Sequence, residues 1–138
     1  MNYQLDFEVN NDGKYMTVLI FDDYVVKFAK SNACKNKDLE RMAKLQTEVS
    51  QQVDGVYPLK KIDNVLIMQR AKGKRADYYR EDRKMRDHIK RLMDRKKKEI
   101  KELGYKITDV SWKNCFYDEE TDSVSIIDMH QIKKEGGE

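Results

Sequence analysis

The chain has 138 residues, of which 38% are charged and 39% hydrophobic, and this length suits one folded domain with little room beyond a single site. Its 28 basic and 25 acidic residues give a net charge of +3, which is too balanced to indicate nucleic-acid binding by itself, and no apolar run approaches the length of a membrane span. The first residues lack the basic and apolar segments of a secretory signal, and the two cysteines lie far apart, so we expect a cytoplasmic protein with reduced thiols.

The first third of the chain predicts an antiparallel meander of three strands. Residues 3–9 and 15–21 have the alternation and the branched and aromatic side chains of strands, and a polar turn joins them. A second tight turn leads into a third strand at 24–29. Lys27 is the charged residue of this otherwise apolar strand, and a lysine in a strand usually points to solvent.

A helix and a further strand follow. Residues 38–53 predict a helix whose apolar stripe comprises Leu39, Met42, Leu45 and Val49. Pro58 favours an extended segment after it. Residues 64–73 then have the pattern of a core strand that breaks at a glycine.

Residues 77–102 predict a long helix with one apolar face, which stops at Gly104. The apolar face comprises Met85, Ile89, Leu92, Met93, Ile100 and Leu103. The other faces are strongly basic between residues 83 and 101, as expected of a solvated surface on a core helix. The alternative is an electrostatic patch for an acidic protein, RNA or DNA.

Three polar residues near the end of the chain have the chemistry of phosphoryl transfer. Asp109 and Asn114 are separated by four residues, and Asp128 ends a short apolar strand that follows a polar turn. Phosphoryl transfer from a nucleotide requires a carboxylate near the attacking hydroxyl, together with an oxygen ligand and a second carboxylate to hold Mg²⁺. Asp109, Asn114 and Asp128 are chemically those groups.

These segments resemble the catalytic loop and metal-binding turn of the protein-kinase-like fold, especially its small bacterial and phage kinase-like and aminoglycoside-phosphotransferase-like members. Protein kinases have H-R-D-x-x-x-x-N and D-F-G, where this chain has Ile107-Thr108-Asp109, Asn114 and Asp128-Met129-His130. The Asp, the Asn and their spacing match, whereas the His, Arg, Phe and Gly do not. Upstream, Val25-Val26-Lys27 resembles the V-A-I-K of the third kinase strand.

The resemblance implies a minimal protein-kinase-like fold of the α+β class. An antiparallel small-lobe sheet would carry one helix, and the helical large lobe would be much reduced. The whole chain, 1–138, would form a single kinase-like domain. Its small lobe and hinge would comprise 1–73, and the reduced large lobe, with the catalytic loop and metal turn, would comprise 74–138.

The resemblance also implies roles for individual residues, with ATP and Mg²⁺ as cofactors. Asp109 would position or deprotonate the acceptor, Lys27 would contact the phosphates, and Asn114 and Asp128 would hold the metal.

Further contacts are implied in the small lobe. A glutamate of the first helix would orient Lys27, with Glu40 preferred and Glu48 as the fallback. The turn where kinases carry a glycine-rich loop has a single glycine here, Gly13, so weaker binding of the phosphates is implied. The backbone edge for adenine would be supplied by Met68, Gln69, Arg70 and Ala71.

The preferred interpretation is an ATP- and Mg²⁺-dependent phosphotransferase-like protein, a minimal kinase whose acceptor is unknown. Only residues 131–138 follow the metal turn, so we expect neither an activation segment nor a peptide-binding subdomain. The first alternative is a pseudokinase, an interaction module that keeps the scaffold and binds a partner protein. The second is a basic nucleic-acid-binding protein that acts through the helix at 83–101.

Overall fold

Five short strands form the sheet of the N-terminal half. The computed structural model describes residues 8–10, 16–29, 36–107, 110–129 and 132–135, so the predictions for Gly13 and Asp109 fall outside the described residues. The strands are β1 (Glu8–Asn10), β2 (Met16–Ile20), β3 (Tyr24–Ala29), β4 (Leu59–Ile62) and β5 (Val65–Gln69). They lie in the order β1-β2-β3-β5-β4 and every neighbouring pair is antiparallel, which confirms the predicted meander of the first three.

Helix α1 (Asn36–Ser50) covers this sheet with the stripe that its 3.6-residue period predicts. Four apolar side chains at that spacing are buried, namely Leu39, Met42, Leu45 and Val49. The first half of the helix packs on Val25, Leu66 and Met68 of the sheet. The second half packs into a separate core made largely by the C-terminal half of the chain. Helix α1 therefore takes part in both cores.

The predicted helix at 77–102 is in fact two helices. A 3₁₀ helix (Ala76–Tyr79) is followed by α2 (Arg83–Glu102). Asp82 separates them, because it has an extended backbone and its carboxylate accepts the N–H of Met85 at 3.2 Å as an N-cap. Ile89, Met93 and Ile100 are the buried residues of α2, in agreement with the predicted apolar face.

Two small antiparallel sheets complete the C-terminal half. One has the order β6-β8-β9 and comprises β6 (Lys74–Arg75), β8 (Cys115–Asp118) and β9 (Ser123–Ile126). The other pairs β7 (Tyr105–Lys106) with β10 (Lys133–Lys134). Within the described residues, no helix is both long and apolar enough to cross a membrane.

The β8–β9 hairpin contacts both cores, one with each of its faces. Cys115, Tyr117, Val124 and Ile126 alternate along the strands and are buried in the C-terminal core. Ile127, which follows β9, packs instead against the core of the N-terminal half. The Tyr57 hydroxyl reaches Ser125 Oγ at 3.3 Å from the same side. The hairpin therefore fixes the end of β9 directly beneath the five-stranded sheet.

Candidate active site

Lys27 lies at the centre of the site, where the two halves of the chain meet. Its side chain is buried, with only 4% of the residue exposed. The Nζ atom donates a hydrogen bond of 2.7 Å to the carbonyl oxygen of Ile127, one hundred residues further along the chain. The expectation that a strand lysine points to solvent does not hold for this residue.

The register of β3 explains why Lys27 faces inward. This strand lies between β2 and β5, and Lys27 pairs with Val18 on one side and Leu66 on the other. Side chains two residues apart in a strand lie on the same face. Val25 is buried in the core between the sheet and α1, so Lys27 lies on that same inner face.

Burial lowers the pKa of the Lys27 ammonium below its usual value of 10.5, because the charged form loses its hydration. The nearby negative charge of Asp128 acts in the opposite direction and raises that pKa. Asp128 is thus close enough to Lys27 for the two charges to interact. The effect of burial is the larger of the two, so the net shift of the Lys27 pKa is downward.

Asn114 is held beside Asp128 by backbone hydrogen bonds. It ends a 3₁₀ helix (Trp112–Asn114), in which its N–H donates to the Ser111 carbonyl at 2.9 Å. The Ser111 hydroxyl accepts the N–H of Lys113 and caps the same turn. On the other side, the N–H of Ile127 donates to the Asn114 carbonyl at 2.9 Å. Asn114 and Asp128 are therefore neighbours across the β8–β9 hairpin, although thirteen residues lie between them in the sequence.

Ile127 connects the predicted site residues and was not singled out in the sequence. Its N–H bonds to Asn114 and its C=O accepts the hydrogen bond from Lys27, while the next residue is Asp128. These contacts are made by the backbone, so the identity of the side chain gives no sign of them. The one sequence signal for Ile127 was its position directly before Asp128, the aspartate predicted to lie in the metal-binding turn.

The donor set near Asp128 suits Mg²⁺, which prefers oxygen ligands and often takes only one or two from a protein when phosphates supply the others. The Asn114 amide and the Asp128 carboxylate both carry such oxygens, and both residues are partly buried. In the part of the chain that the structure describes, no cluster of three or more His, Cys, Asp or Glu could hold a metal alone.

Neither glutamate of α1 contacts Lys27 among the described interactions. Glu40 has a largely exposed side chain that approaches the Lys61 ammonium at 3.8 Å. Glu48 accepts a hydrogen bond of 2.9 Å from the Tyr105 hydroxyl and lies 4.0 Å from the Lys134 ammonium. The helical period turns Leu39 and Met42, not the glutamates, toward the sheet. An orienting role for either glutamate stays a prediction.

Arg70, which follows β5, forms hydrogen bonds to the turn between β2 and β3, so one backbone edge of this segment is already paired within the protein. The Arg70 N–H donates to the Asp23 carbonyl at 3.0 Å, and the Arg70 guanidinium donates to the Phe21 carbonyl at 3.1 Å. Successive peptide groups of an extended segment point in opposite directions. The Gln69 carbonyl and the Ala71 N–H therefore face away from the Asp23 turn, while the Met68 side chain is buried beneath the sheet.

A glycine lets this segment pass close to β8. Gly73 has φ +91°, and a Cβ at this position would collide with the Tyr117 carbonyl. The strand predicted over 64–73 ends earlier, at Gln69, and Gly73 instead marks a close approach that only glycine permits.

A cavity of about 640 Å³ lies on the outer side of the same segment. It is lined by residues 22–23, 69–74 and 117–120 together with Tyr79. Lys27, Asn114 and Asp128 do not line this cavity, whereas Gln69, Arg70 and Ala71, which were predicted for the adenine edge, do.

No protein-family model matches the sequence, and no curated protein matches it. The fold does have known counterparts among solved structures of WbdD. A complex of WbdD with the kinase inhibitor LY294002 superposes with a TM-score of 0.54 at 16% identity, over 90% of this chain and 32% of that one. A structure described as the bifunctional kinase-methyltransferase WbdD gives 0.54 at 17% identity, over 87% and 30%. Monomeric WbdD gives 0.52 at 15% identity, over 87% and 33%.

This likeness shows a fold and not a shared sequence family. The chain spans about a third of the length of these structures. Its antiparallel sheets and two α-helices form a small kinase-like fold of the α+β class, as the resemblance implied.

Proposed function

We propose that this protein is an ATP- and Mg²⁺-dependent phosphotransferase, a minimal kinase. The observation that carries the proposal is the buried Lys27 ammonium, which bonds to the Ile127 carbonyl beside Asp128. The kinase-like fold supports it, since one of the similar solved structures is described as a bifunctional kinase-methyltransferase.

The cost of burying Lys27 argues for a function. An ammonium removed from water destabilises the folded state by several kcal/mol unless anions and hydrogen bonds compensate for it. Among the described residues, the compensation comes from one carbonyl and the field of one carboxylate. A nucleotide phosphate at this position would supply the missing negative charge. Phosphate binding would also raise the lowered pKa of Lys27.

Asn114 and Asp128 would hold Mg²⁺ against the same phosphates. Mg²⁺ bound there would neutralise the charge that develops on the transferred group. The hydrogen bond from the Ile127 N–H to the Asn114 carbonyl brings the backbones of the two proposed ligands close together. Asp109 precedes Asn114 by five residues, and we assign to it the acceptor-side carboxylate.

The base would bind between the β5 exit and β8. The Gln69 carbonyl and the Ala71 N–H face away from the internal bond at Arg70, so they offer an acceptor and a donor to a purine. Phe116 alternates with the buried Cys115 and Tyr117, and it is therefore on the side of the hairpin that faces the sheet. Its ring would form the apolar floor of the base site.

Calorimetric titration of the protein with ATP, with and without Mg²⁺, tests the proposal. We expect binding in the micromolar to millimolar range that is at least tenfold tighter with Mg²⁺. A γ-³²P-ATP assay for slow hydrolysis or transfer follows. Absence of binding at millimolar ATP and Mg²⁺ would refute the proposal, and binding without any turnover would favour a pseudokinase.

A further inference from the structure

Four basic residues form a row along the solvent face of α2. Lys84, Arg91, Arg95 and Lys98 are all exposed, and they occupy positions i, i+7, i+11 and i+14 of the helix. At 3.6 residues per turn these positions lie within about 60° of one another around the axis, and they span about 21 Å along it. The buried residues Ile89, Met93 and Ile100 are on the opposite side.

Two acidic residues of α2, Asp87 and Asp94, pair with cations outside this row. Asp94 pairs with Lys90 at 2.9 Å and with Lys97 at 3.4 Å, and Asp87 approaches Arg86 at 3.7 Å. In the row itself, Lys98 has a long contact of 4.0 Å with Glu102, and both side chains are well exposed.

The other three cations of the row lie within one turn of Asp87 or Glu99 but are not paired with them in the described part of the chain. Across the described ranges, Lys84, Arg91 and Arg95 form no ion pair. A line of free positive charge is thus presented to solvent, although the net charge of the whole protein is small.

The composition of this surface indicates the chemistry of its partner. Protein interfaces usually contain an apolar or aromatic anchor at their centre, and membrane-surface helices insert apolar side chains between the lipids. Among the described residues, the exposed large hydrophobic side chains all lie outside α2, and Leu103, just after its end, is the nearest in sequence. A row of cations without an apolar anchor is complementary in charge to a polymer whose negative charges repeat along its length.

We infer that this row on α2 binds the phosphate backbone of a nucleic acid. The surface is distinct from the Lys27 site, and the inference does not depend on the proposed phosphotransfer. Its Lys and Arg side chains contact phosphates and carry no pattern for reading bases, so binding is independent of sequence. Affinity then lies at about 1 to 100 µM at physiological salt and weakens steeply as salt rises.

Fluorescence anisotropy of a fluorescein-labelled 20-base-pair DNA duplex tests the inference. The test variant replaces Lys84, Arg91 and Arg95 with Gln, which is a good helix former. The matched control replaces Lys37, Lys44 and Lys60 with Gln, which removes the same charge from exposed positions of the N-terminal half. Circular dichroism tests whether both variants remain folded. If the triple variant of the row does not fold, the single variant Arg91→Gln replaces it.

The row variant is expected to bind at least tenfold more weakly, and the control variant within threefold of the unmodified protein. The slope of log K against log salt should fall by about 2 to 3 in the row variant, at about 0.9 per lost phosphate contact. Lys27→Met should leave this binding unchanged, which separates it from the nucleotide site. Equal losses in both triple variants would overturn the inference. So would tighter binding to phosphatidylserine vesicles or to poly-glutamate than to the duplex.

Discussion

The Nζ atom of Lys27 lies 2.7 Å from the carbonyl oxygen of Ile127, so a lysine of the third strand bonds to the residue that precedes Asp128. This contact joins the five-stranded sheet to the end of β9. It also brings the proposed phosphate-binding cation close to the backbone of the proposed metal ligand. A contact of this kind, made within the folded chain, would reduce the ordering that ligand binding requires.

Replacing Lys27 with Met should weaken ATP binding without unfolding the protein. We expect ATP affinity to fall at least tenfold, because the phosphates lose their buried cation. The free energy of unfolding should change by less than about 3 kcal/mol, because removing the cost of a buried charge is offset by leaving the Ile127 carbonyl without its donor. Calorimetry and urea unfolding measure the two effects. Lys60→Met, the same change at an exposed strand position, is the control. Unchanged ATP affinity in Lys27→Met would remove Lys27 from the site.

The lowered pKa of Lys27 predicts a specific dependence of stability on pH. Below its folded pKa the ammonium is charged in both states, and the folded protein bears the full cost of burying it. Between the folded pKa and 10.5 the unfolded state binds more protons, so the Lys27 contribution to stability becomes less unfavourable as pH rises. The unfolding free energy of the unmodified protein minus that of Lys27→Met should therefore increase from pH 7 to 10. A difference that is flat or falls with pH would contradict a buried ammonium with a lowered pKa.

Asp128→Asn should weaken the Mg²⁺ dependence of nucleotide binding. The amide keeps the shape and one oxygen, but it removes the negative charge that a metal needs. We expect the gain from adding Mg²⁺ to shrink at least fivefold in calorimetric titrations. Asp63→Asn is a suitable control, because Asp63 is exposed and its positive φ of 52° suits asparagine. A fall in melting temperature larger than about 10 °C would instead make Asp128 chiefly a structural residue.

Asp109→Asn should impair transfer and spare binding. A group that positions or deprotonates the acceptor acts in the transition state, and its loss typically lowers rates by about 10² to 10⁴. ATP affinity should stay within threefold of the unmodified protein. The γ-³²P-ATP assay measures the rate, and an unchanged rate would shift the interpretation to a pseudokinase.

Glu48 should behave as a structural residue. Its hydrogen bond with Tyr105 links α1 to the C-terminal half, and a hydrogen bond to a charged group contributes about 1.5 to 3 kcal/mol. Glu48→Gln and Tyr105→Phe should each lower the free energy of unfolding by about that amount, with ATP affinity changed less than threefold. If Glu48→Gln instead weakens ATP binding tenfold at constant stability, Glu48 acts on Lys27. A parallel measurement on Glu40→Gln tests the other candidate.

Local sequence determined the elements and the spacing of the site residues. Alternation over β2 and β3 and the 3.6-residue stripe of α1 depend on neighbouring side chains, so they could be predicted without a structure. Asp82 was missed as a helix boundary, although an aspartate before a basic helix is a readable N-cap signal. Asn114 and Asp128 could be predicted as a pair because both side chains carry oxygen atoms that can bind a metal.

Only the tertiary structure decided what these residues contact. The sequence could not show that β3 lies between β2 and β5, and this position places Lys27 inside the protein and not in solvent. The hydrogen bonds of Ile127 to Asn114 and Lys27 use backbone atoms that every residue has, so no side-chain pattern marks them. Glu48 likewise pairs with a tyrosine 57 residues away. Each of these contacts depends on long-range strand and helix packing, which local propensities do not encode.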